Sequence, residues 1–176
     1  MLDLSTIPVL ETRRLRLRRP ELGDFEAYPA LSADPEVMRF IGDGTPQGRR
    51  RAWQAFTGML GHWAVRDYGQ FAVESKANGA FLGRVGLYAP DPWPGIEIAW
   101  ALAREHWGQG FAPEAAAAVR NWAFGTLKLP RLVSVIIPEN HASIRVAEKI
   151  GERFDRDDKI DGIPVRIYAI ENPARV

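Results

Sequence analysis

Three short consecutive segments constrain the fold more than any other part of the sequence. Segments 68–75, 80–88 and 95–102 are rich in aromatic and β-branched residues. They are separated by Asn78-Gly79 and by the proline-rich stretch 89–95, both of which are typical of turns. This arrangement predicts an antiparallel meander. A sheet of this kind buries one or both faces against other elements, so helices are expected elsewhere in the chain.

Helices and further strands are predicted on both sides of the meander. The alternation of leucine and arginine in 14–20 predicts a strand, and a helix is predicted to begin after Thr45 and Pro46, with its apolar face at Trp53, Phe56, Leu60 and Trp63. The later elements are predicted to be a helix from Pro113 to about Leu127, a strand at 131–137, a helix at 141–151 and a hairpin turning at Asp161-Gly162. The sequence therefore predicts one α+β domain over residues 1–176, with a mixed, mostly antiparallel sheet flanked by helices.

Composition excludes several function classes. A net charge of +1 gives no strongly basic surface for nucleic acid or a membrane. The chain has no cysteine, which excludes disulfides, thiolate metal sites and a cysteine nucleophile. Its three histidines show no metal-ligand spacing, so no metal is expected. No apolar run approaches a membrane span and the N-terminus does not resemble a signal peptide, so a cytoplasmic protein is expected.

A Gly-x-Gly turn, Gly108 to Gly110, lies between the last strand of the meander and the alanine-rich helix. The first amides of a helix lack intrahelical partners, and glycines allow a bulky anion to approach them. The pattern alone is weak, because such a turn is more often only a loop-to-helix junction. It also lacks the Gly-Lys-Ser/Thr of a Walker loop and the full dinucleotide-binding pattern.

A second pattern follows the next strand. Asn140 precedes the segment "HASIRVAEKIG", and its side chain is expected to cap that helix through the amide of Ala142 or Ser143. Capping alone is a structural role. The combination is more specific: a strand with an internal carboxylate, Glu97, is followed by a glycine turn on a helix start, another strand, and Asn-x-x-Ser at a second helix start.

This combination resembles the GNAT superfamily of N-acetyltransferases, and within it the branch that acetylates the N-termini of ribosomal proteins (Rim type). The resemblance covers nearly the whole chain. It rests on "ETRRLRLR", which looks like the opening of that branch, on "EIAWALAREHWGQGFAPEA", which looks like the acetyl-CoA-binding segment, and on "NHASIRVAEKIG", which is similar to the fourth-helix motif.

The resemblance implies acetyl-CoA as cosubstrate and a GNAT-like cleft between splayed strands. The pyrophosphate is expected on the backbone amides of Gln109, Gly110, Phe111 and Ala112. The pantetheine arm is expected to pair with backbone groups of Trp100 and Leu102. Asn140 and Ser143 are expected beside the same arm.

Glu97 is the candidate general base, because it lies within an apolar strand beside the expected cofactor site, and Glu74 is the reserve. Deprotonating a lysine amine near neutral pH costs roughly 4 kcal/mol, against about 1 kcal/mol or less for an α-amine. A carboxylate base therefore suffices for an α-amine acceptor. A backbone amide of the Glu97 strand, that of Trp100 first, is the expected oxyanion donor. Ser143 is the expected hydrogen-bond donor to the departing thiolate.

The sequence departs from the family pattern at three positions. Trp107 replaces a glutamine or arginine, Ala147 replaces a tyrosine that many members use as an acid, and Glu152 replaces an aromatic residue without an evident reason. The arginines at 49–51 are expected to be solvated charges.

The sequence thus predicts an enzyme that moves an acetyl group directly from acetyl-CoA to a primary amine, on a protein N-terminus or a small molecule. The alternatives are a non-catalytic acyl-CoA sensor with the same fold and, less favoured, a nucleotide-phosphate binding domain. The identity of the amine and the oligomeric state, including a homodimer, are left open.

Overall fold

A computed structural model describes residues 6–175. The strands are β1 (Leu10–Glu11), β2 (Leu15–Arg18), β3 (Gln70–Ser75), β4 (Phe81–Tyr88), β5 (Glu97–Leu102), β6 (Arg131–Ile136), β7 (Arg153–Ile160) and β8 (Ile163–Glu171). The α-helices are α1 (Tyr28–Ala33), α2 (Pro35–Met38), α3 (Arg49–Arg66), α4 (Phe111–Gly125) and α5 (His141–Lys149).

All eight strands form one sheet in the order β1-β2-β3-β4-β5-β6-β8-β7. Every neighbouring pair is antiparallel except β5 and β6, which are parallel and pair only at Glu97 and Val133. The predicted α+β class, the meander β3–β5 and the closing hairpin β7–β8 are confirmed. The sheet separates beyond the β5–β6 contact, and this separation positions the site.

The two faces of the sheet are covered by different helices, except that Trp63 near the end of α3 packs against Phe71 and Trp122 in the larger core. On one face, the small residues of α4 pack on the centre of the sheet around buried Phe71, Val85 and Ile98, and α5 lies beside α4. On the other face, Tyr28 of α1 and Phe56 of α3 form a smaller aromatic core. Alternate residues of each strand therefore meet different partners, as the period of a strand requires.

Helix α3 differs from its prediction. It begins at Arg49 with Gly48 as N-cap, because Thr45 is held in a local turn by two hydrogen bonds to the Asp43 carboxylate. Its buried residues are Ala52, Phe56, Met59 and Trp63, whereas Trp53 is exposed. The predicted apolar face was thus wrong at Trp53.

None of the helices in residues 6–175 is long and apolar enough to cross a membrane.

Candidate active site

A cleft of about 1030 Å³ opens where β5 and β6 separate. The Ser134 hydroxyl donates to the Ile98 carbonyl oxygen across the start of the gap at 3.0 Å. Beyond that bond the two strands do not pair, so backbone and side chains of both strands are available to a ligand. Residues from α3, β4, the loop between β4 and β5, and the start of α5 complete the walls.

Glu97 lies at the point where β5 and β6 diverge, and its side chain lines the cleft. One carboxylate oxygen, Oε2, accepts a hydrogen bond from Trp93 Nε1 at 2.8 Å, and Oε1 accepts one from the Val135 amide at 3.3 Å. The residue is only 8% exposed. The strand pair and the Trp93 loop therefore hold this carboxylate in one position inside the cleft.

The environment of Glu97 suits a general base. Burial raises the pKa of Glu97 to about 7, against the opposing effects of the Val135 amide, the Trp93 indole and the positive charge of Arg84. A carboxyl group with a pKa near 7 is ionised in a large fraction of molecules at neutral pH, yet binds a proton more strongly than an ordinary glutamate.

Ser143 and Trp100 meet on another side of the same cleft. The Trp100 indole Nε1 donates to Ser143 Oγ at 3.2 Å, so the hydroxyl hydrogen of Ser143 is free to point elsewhere. Asn140 is the N-cap of α5, and its side chain accepts from the Ser143 amide at 3.1 Å, as one of its two predicted capping partners. The structure thus brings Glu97, Trp100, Asn140 and Ser143 to one cleft.

The backbone of β5 presents alternate residues to the gap. Ile96 and Ile98 direct their carbonyl groups towards β6, where they accept from the Val133 amide and the Ser134 hydroxyl. Because backbone groups alternate in direction along a strand, those of Trp100 point the same way. At Leu102 the carbonyl oxygen already accepts from the Trp107 indole at 2.8 Å. Trp107, for which no role was predicted, therefore has a structural role: its indole holds the end of β5.

The glycine turn has the backbone conformation that an exposed helix start requires. Gly108 and Gly110 have φ angles of +74° and +78°, which glycine adopts readily and other residues do not. Gly110 is the N-cap of α4, and no side chain caps the first-turn amides of Phe111 and Ala112. Gln109 lies between the two glycines, so the predicted phosphate-binding residues form one continuous turn.

Arg14, which was not among the site residues predicted from the sequence, lies against this turn. Its Nε donates to Glu114 at 2.7 Å, its Nη1 donates to the Gln109 carbonyl oxygen at 2.9 Å, and its guanidinium stacks on Phe111. A Cβ atom on Gly110 would lie 3.4 Å from Arg14 Nη2. Glu114 already offsets the charge of Arg14, so Arg14 holds the turn in place beside uncapped helix amides, which themselves suit an anionic group such as a pyrophosphate. Arg14 lies 95 positions before Gln109 in the chain, so no local motif could have revealed this contact.

Glu74, the reserve base, lies outside the cleft. Its carboxylate pairs with Arg18 at 2.7 Å and with Arg16 at 3.5 Å. His62 does line the cleft, but both its ring nitrogens are engaged, one at the Tyr68 carbonyl oxygen and the other at the Ala89 amide. Glu97 is therefore the buried carboxylate in the lining of the cleft, whose other carboxylates, Asp43, Asp91 and Asp161, are exposed.

Glu152 is fully buried behind the site. Neither of its carboxyl oxygens has a hydrogen-bond partner among the described residues. Burial raises the pKa of Glu152 to about 8; the nearby Ser134 hydroxyl, which would oppose this rise, donates to the Ile98 carbonyl oxygen instead. The negative charge of Glu97 adds to the effect of burial on Glu152.

Comparison with known proteins identifies the class. Residues 14–153 match the model of the acetyltransferase (GNAT) domain. The crystal structure of an acetyltransferase from Agrobacterium tumefaciens superposes with a TM-score of 0.84 and 35% identity, over 94% of this chain and 95% of that one. The chain is 30% identical to the "Uncharacterized N-acetyltransferase p20" of Bacillus licheniformis, over 90% of this chain and 92% of the relative. The fold is that of an acetyltransferase enzyme. The chain belongs to the GNAT family.

The similarity to the ribosomal-protein branch is only distant. RimL, the ribosomal L7/L12 alpha-N-protein acetyltransferase in complex with coenzyme A, superposes with a TM-score of 0.79 but only 16% identity, over 95% of this chain and 99% of that one. At that identity the match shows a shared fold and does not indicate a shared acceptor.

Proposed function

We propose that this protein transfers the acetyl group of acetyl-CoA directly to a primary amine within a ternary complex. The observation that carries the proposal is Glu97, a buried carboxylate with a pKa near 7, held between Trp93 and Val135 in the cleft that also contains Ser143. A direct transfer agrees with the absence of cysteine, since no thiol can carry the acetyl group.

Coenzyme A would be held at two places. The amides of Gln109, Gly110, Phe111 and Ala112, with the Arg14 guanidinium beside them, would bind the pyrophosphate. The backbone of Trp100 would pair with the pantetheine arm, whereas Leu102 would have to share a carbonyl that already accepts from Trp107. Asn140 holds the start of α5, and thus Ser143, against the same cleft.

Three residues of the chain have separate roles in the proposed reaction. Glu97 accepts the proton that the amine loses as its nitrogen attacks the thioester carbonyl. The Trp100 amide donates to the oxygen on which negative charge develops. Ser143, whose oxygen accepts from the Trp100 indole, is left with its hydrogen free to donate to the departing thiolate.

Ala147 makes this role of Ser143 more important. It is fully buried against Trp100 and Ile136, so no tyrosine is available at the position where other family members place their acid. A thiol has an ordinary pKa of about 8.5, so its thiolate leaves with modest help at neutral pH.

Coenzyme A release from acetyl-CoA, measured over a panel of amines, tests the proposal. We expect amine-dependent release that Glu97→Gln reduces strongly without weakening acetyl-CoA binding. Tight acetyl-CoA binding without turnover on any amine would instead support the sensor function. Stabilisation against heat by ATP or NAD rather than coenzyme A would support a nucleotide site. The resemblance to the Rim-type branch is tested by including peptides with free N-termini in the panel.

A further inference from the structure

Arg84 lies in the same cleft as Glu97 and on the same face of the sheet. In the β4–β5 ladder Arg84 is opposite Ala101 and Tyr88 is opposite Glu97, so all four residues alternate onto one face. The side chains of Arg84, Tyr88 and Glu97 all line the cleft. A ligand that reaches Glu97 from this face therefore also meets the guanidinium.

The guanidinium of Arg84 has only a neutral partner. Nη1 donates to Gln70 Oε1 at 2.6 Å, and Gln70 is itself buried. Nε is buried and has no hydrogen-bond partner, and within residues 6–175 no carboxylate forms an ion pair with Arg84. A partly buried cation in this state lacks the compensation that burial of charge usually requires.

Arg18 provides the contrast. It lies two strands away on the same face, through the pairs Arg18–Ala72 and Ala72–Arg84. Its guanidinium bonds to both Asp24 and Glu74, at 2.7 to 2.8 Å. Arg18, which supports the sheet, is thus paired with carboxylates, whereas Arg84, which faces the cleft, is not.

Other charges of the cleft do not replace the missing partner. Asp43 at the rim is exposed, accepts from Thr45 and pairs with Arg51, and Asp91 and Asp161 are exposed at the surface. Exposed charges are screened by solvent and salt, whereas those on the floor of the cleft are not. The positive charge of Arg84 opposes the rise in the pKa of Glu97, but the two side chains form no ion pair.

We propose that the acceptor is an amine that carries a carboxylate, and that Arg84, oriented by Gln70, binds that carboxylate while the amine faces Glu97. This inference rests on the proposed acetyl transfer and adds the class of acceptor. A planar guanidinium with unused donors suits a carboxylate better than any neutral group. A free amino acid and a short peptide with an acidic side chain share this chemistry.

Matched acceptor pairs test the inference on the unmodified enzyme. Glycine, β-alanine and γ-aminobutyrate, which place the carboxylate at increasing distances from the amine, are each compared with their amides at saturating acetyl-CoA. C-terminally amidated tetrapeptides with aspartate or asparagine at the second position, which differ only in the side-chain carboxylate, distinguish a peptide source. In the pair that contains the best acceptor, we expect kcat/KM for the acid to be at least tenfold higher than for its amide. The amide amine is less basic, so chemistry alone would favour the amide.

Arg84→Met then assigns the preference to this residue. It should lower the ratio of kcat/KM for the preferred acid to kcat/KM for its amide at least tenfold, mainly by raising the KM of the acid. Arg84→Lys should restore part of the preference. The comparison is made near pH 9, above the Glu97 pKa of about 7, so that the effect of Arg84 on this pKa influences the rates least.

The outcomes separate the two proposals. Equal or better use of amides, or a preference for polyamines, would overturn the carboxylate inference and leave acetyl transfer intact. Preference for acids that survives in folded Arg84→Met would also overturn it. Failure to acetylate any amine would reject the proposed function, and this inference with it.

Discussion

Trp93 donates its indole hydrogen to the carboxylate of Glu97 at 2.8 Å, and so links the proline-rich loop between β4 and β5 to the point where β5 and β6 diverge. The bond stabilises the ionised carboxylate, while burial favours the protonated form. The balance of the two effects decides the pH at which Glu97 can accept a proton.

Replacing Glu97 with glutamine tests the base directly. The change removes charge but little volume, so folding and acetyl-CoA affinity should persist, while kcat falls by about 10²-fold or more. The loss should be larger for a lysine-like amine than for an α-amine, because only the former carries the roughly 4 kcal/mol deprotonation cost. Full activity of the variant from pH 6 to 9 would exclude Glu97 as the base.

The pH dependence of the wild-type enzyme should show the raised pKa of Glu97. Since the base must be ionised, kcat/KM should rise with pH through about 7. Trp93→Phe removes a donor that lowers this pKa, so the rising limb should move to higher pH. The control Trp53→Phe changes an exposed indole on α3 and should leave the limb in place. A limb unmoved in Trp93→Phe would mean that it belongs to another group.

Gly110→Glu should weaken coenzyme A binding strongly, as measured by calorimetry. It places a negative charge at the uncapped start of α4 and forces a non-glycine residue to φ +78°. Gly79→Glu is the matched control, because Gly79 has φ +71° in a hairpin turn with open space around it. Both variants should lose similar stability, about 1–2 kcal/mol, but only Gly110→Glu should lose affinity. Equal affinity in the two folded variants would contradict the phosphate site.

Asn140→Ala should lower the free energy of unfolding by about 1 kcal/mol, because it removes the cap on the Ser143 amide. Asp34→Ala, which removes a similar cap at the start of α2, is the control. If Asn140 also positions the cofactor arm, the Kd for acetyl-CoA should rise in Asn140→Ala and not in Asp34→Ala. Unchanged Kd in both variants would restrict Asn140 to capping.

Relative to the wild type, Glu152→Gln should have a higher free energy of unfolding at high pH than at low pH. The folded-state pKa of about 8 lies above the ordinary value of 4.5, so the native state binds the proton more tightly than the unfolded state. The wild type therefore loses stability as pH rises from about 4.5 to 8. The free energy of unfolding of the variant minus that of the wild type, measured with urea, should be about 3 kcal/mol larger at pH 8 than at pH 5. A pH-independent difference would show that Glu152 is already ionised at pH 5.

The sequence alone determined the elements whose signals are local. The strands predicted in 68–102 from their aromatic and β-branched residues, the turns at Asn78-Gly79 and Asp161-Gly162, and the Asn140 cap depend on backbone preferences within a few residues, and all were confirmed. The predicted start of α3 was wrong, although it also rested on a local signal. Thr45-Pro46 is typical of a helix start, but Thr45 bonds to the Asp43 carboxylate in a turn instead.

Tertiary structure decided which distant residues meet. Glu97 was selected from its strand, but its burial, its bond to Trp93 and its raised pKa arise only when β5 and β6 pair at a single position. Arg14 reaches Gly110 from 96 positions away. Glu74 on β3 and Asp24 in the segment after β2 both bond to Arg18, whereas Arg84, two strands from Arg18, forms no ion pair among the described residues. Local sequence sets conformation, whereas charge compensation depends on which side chains the sheet brings within a few ångströms of one another.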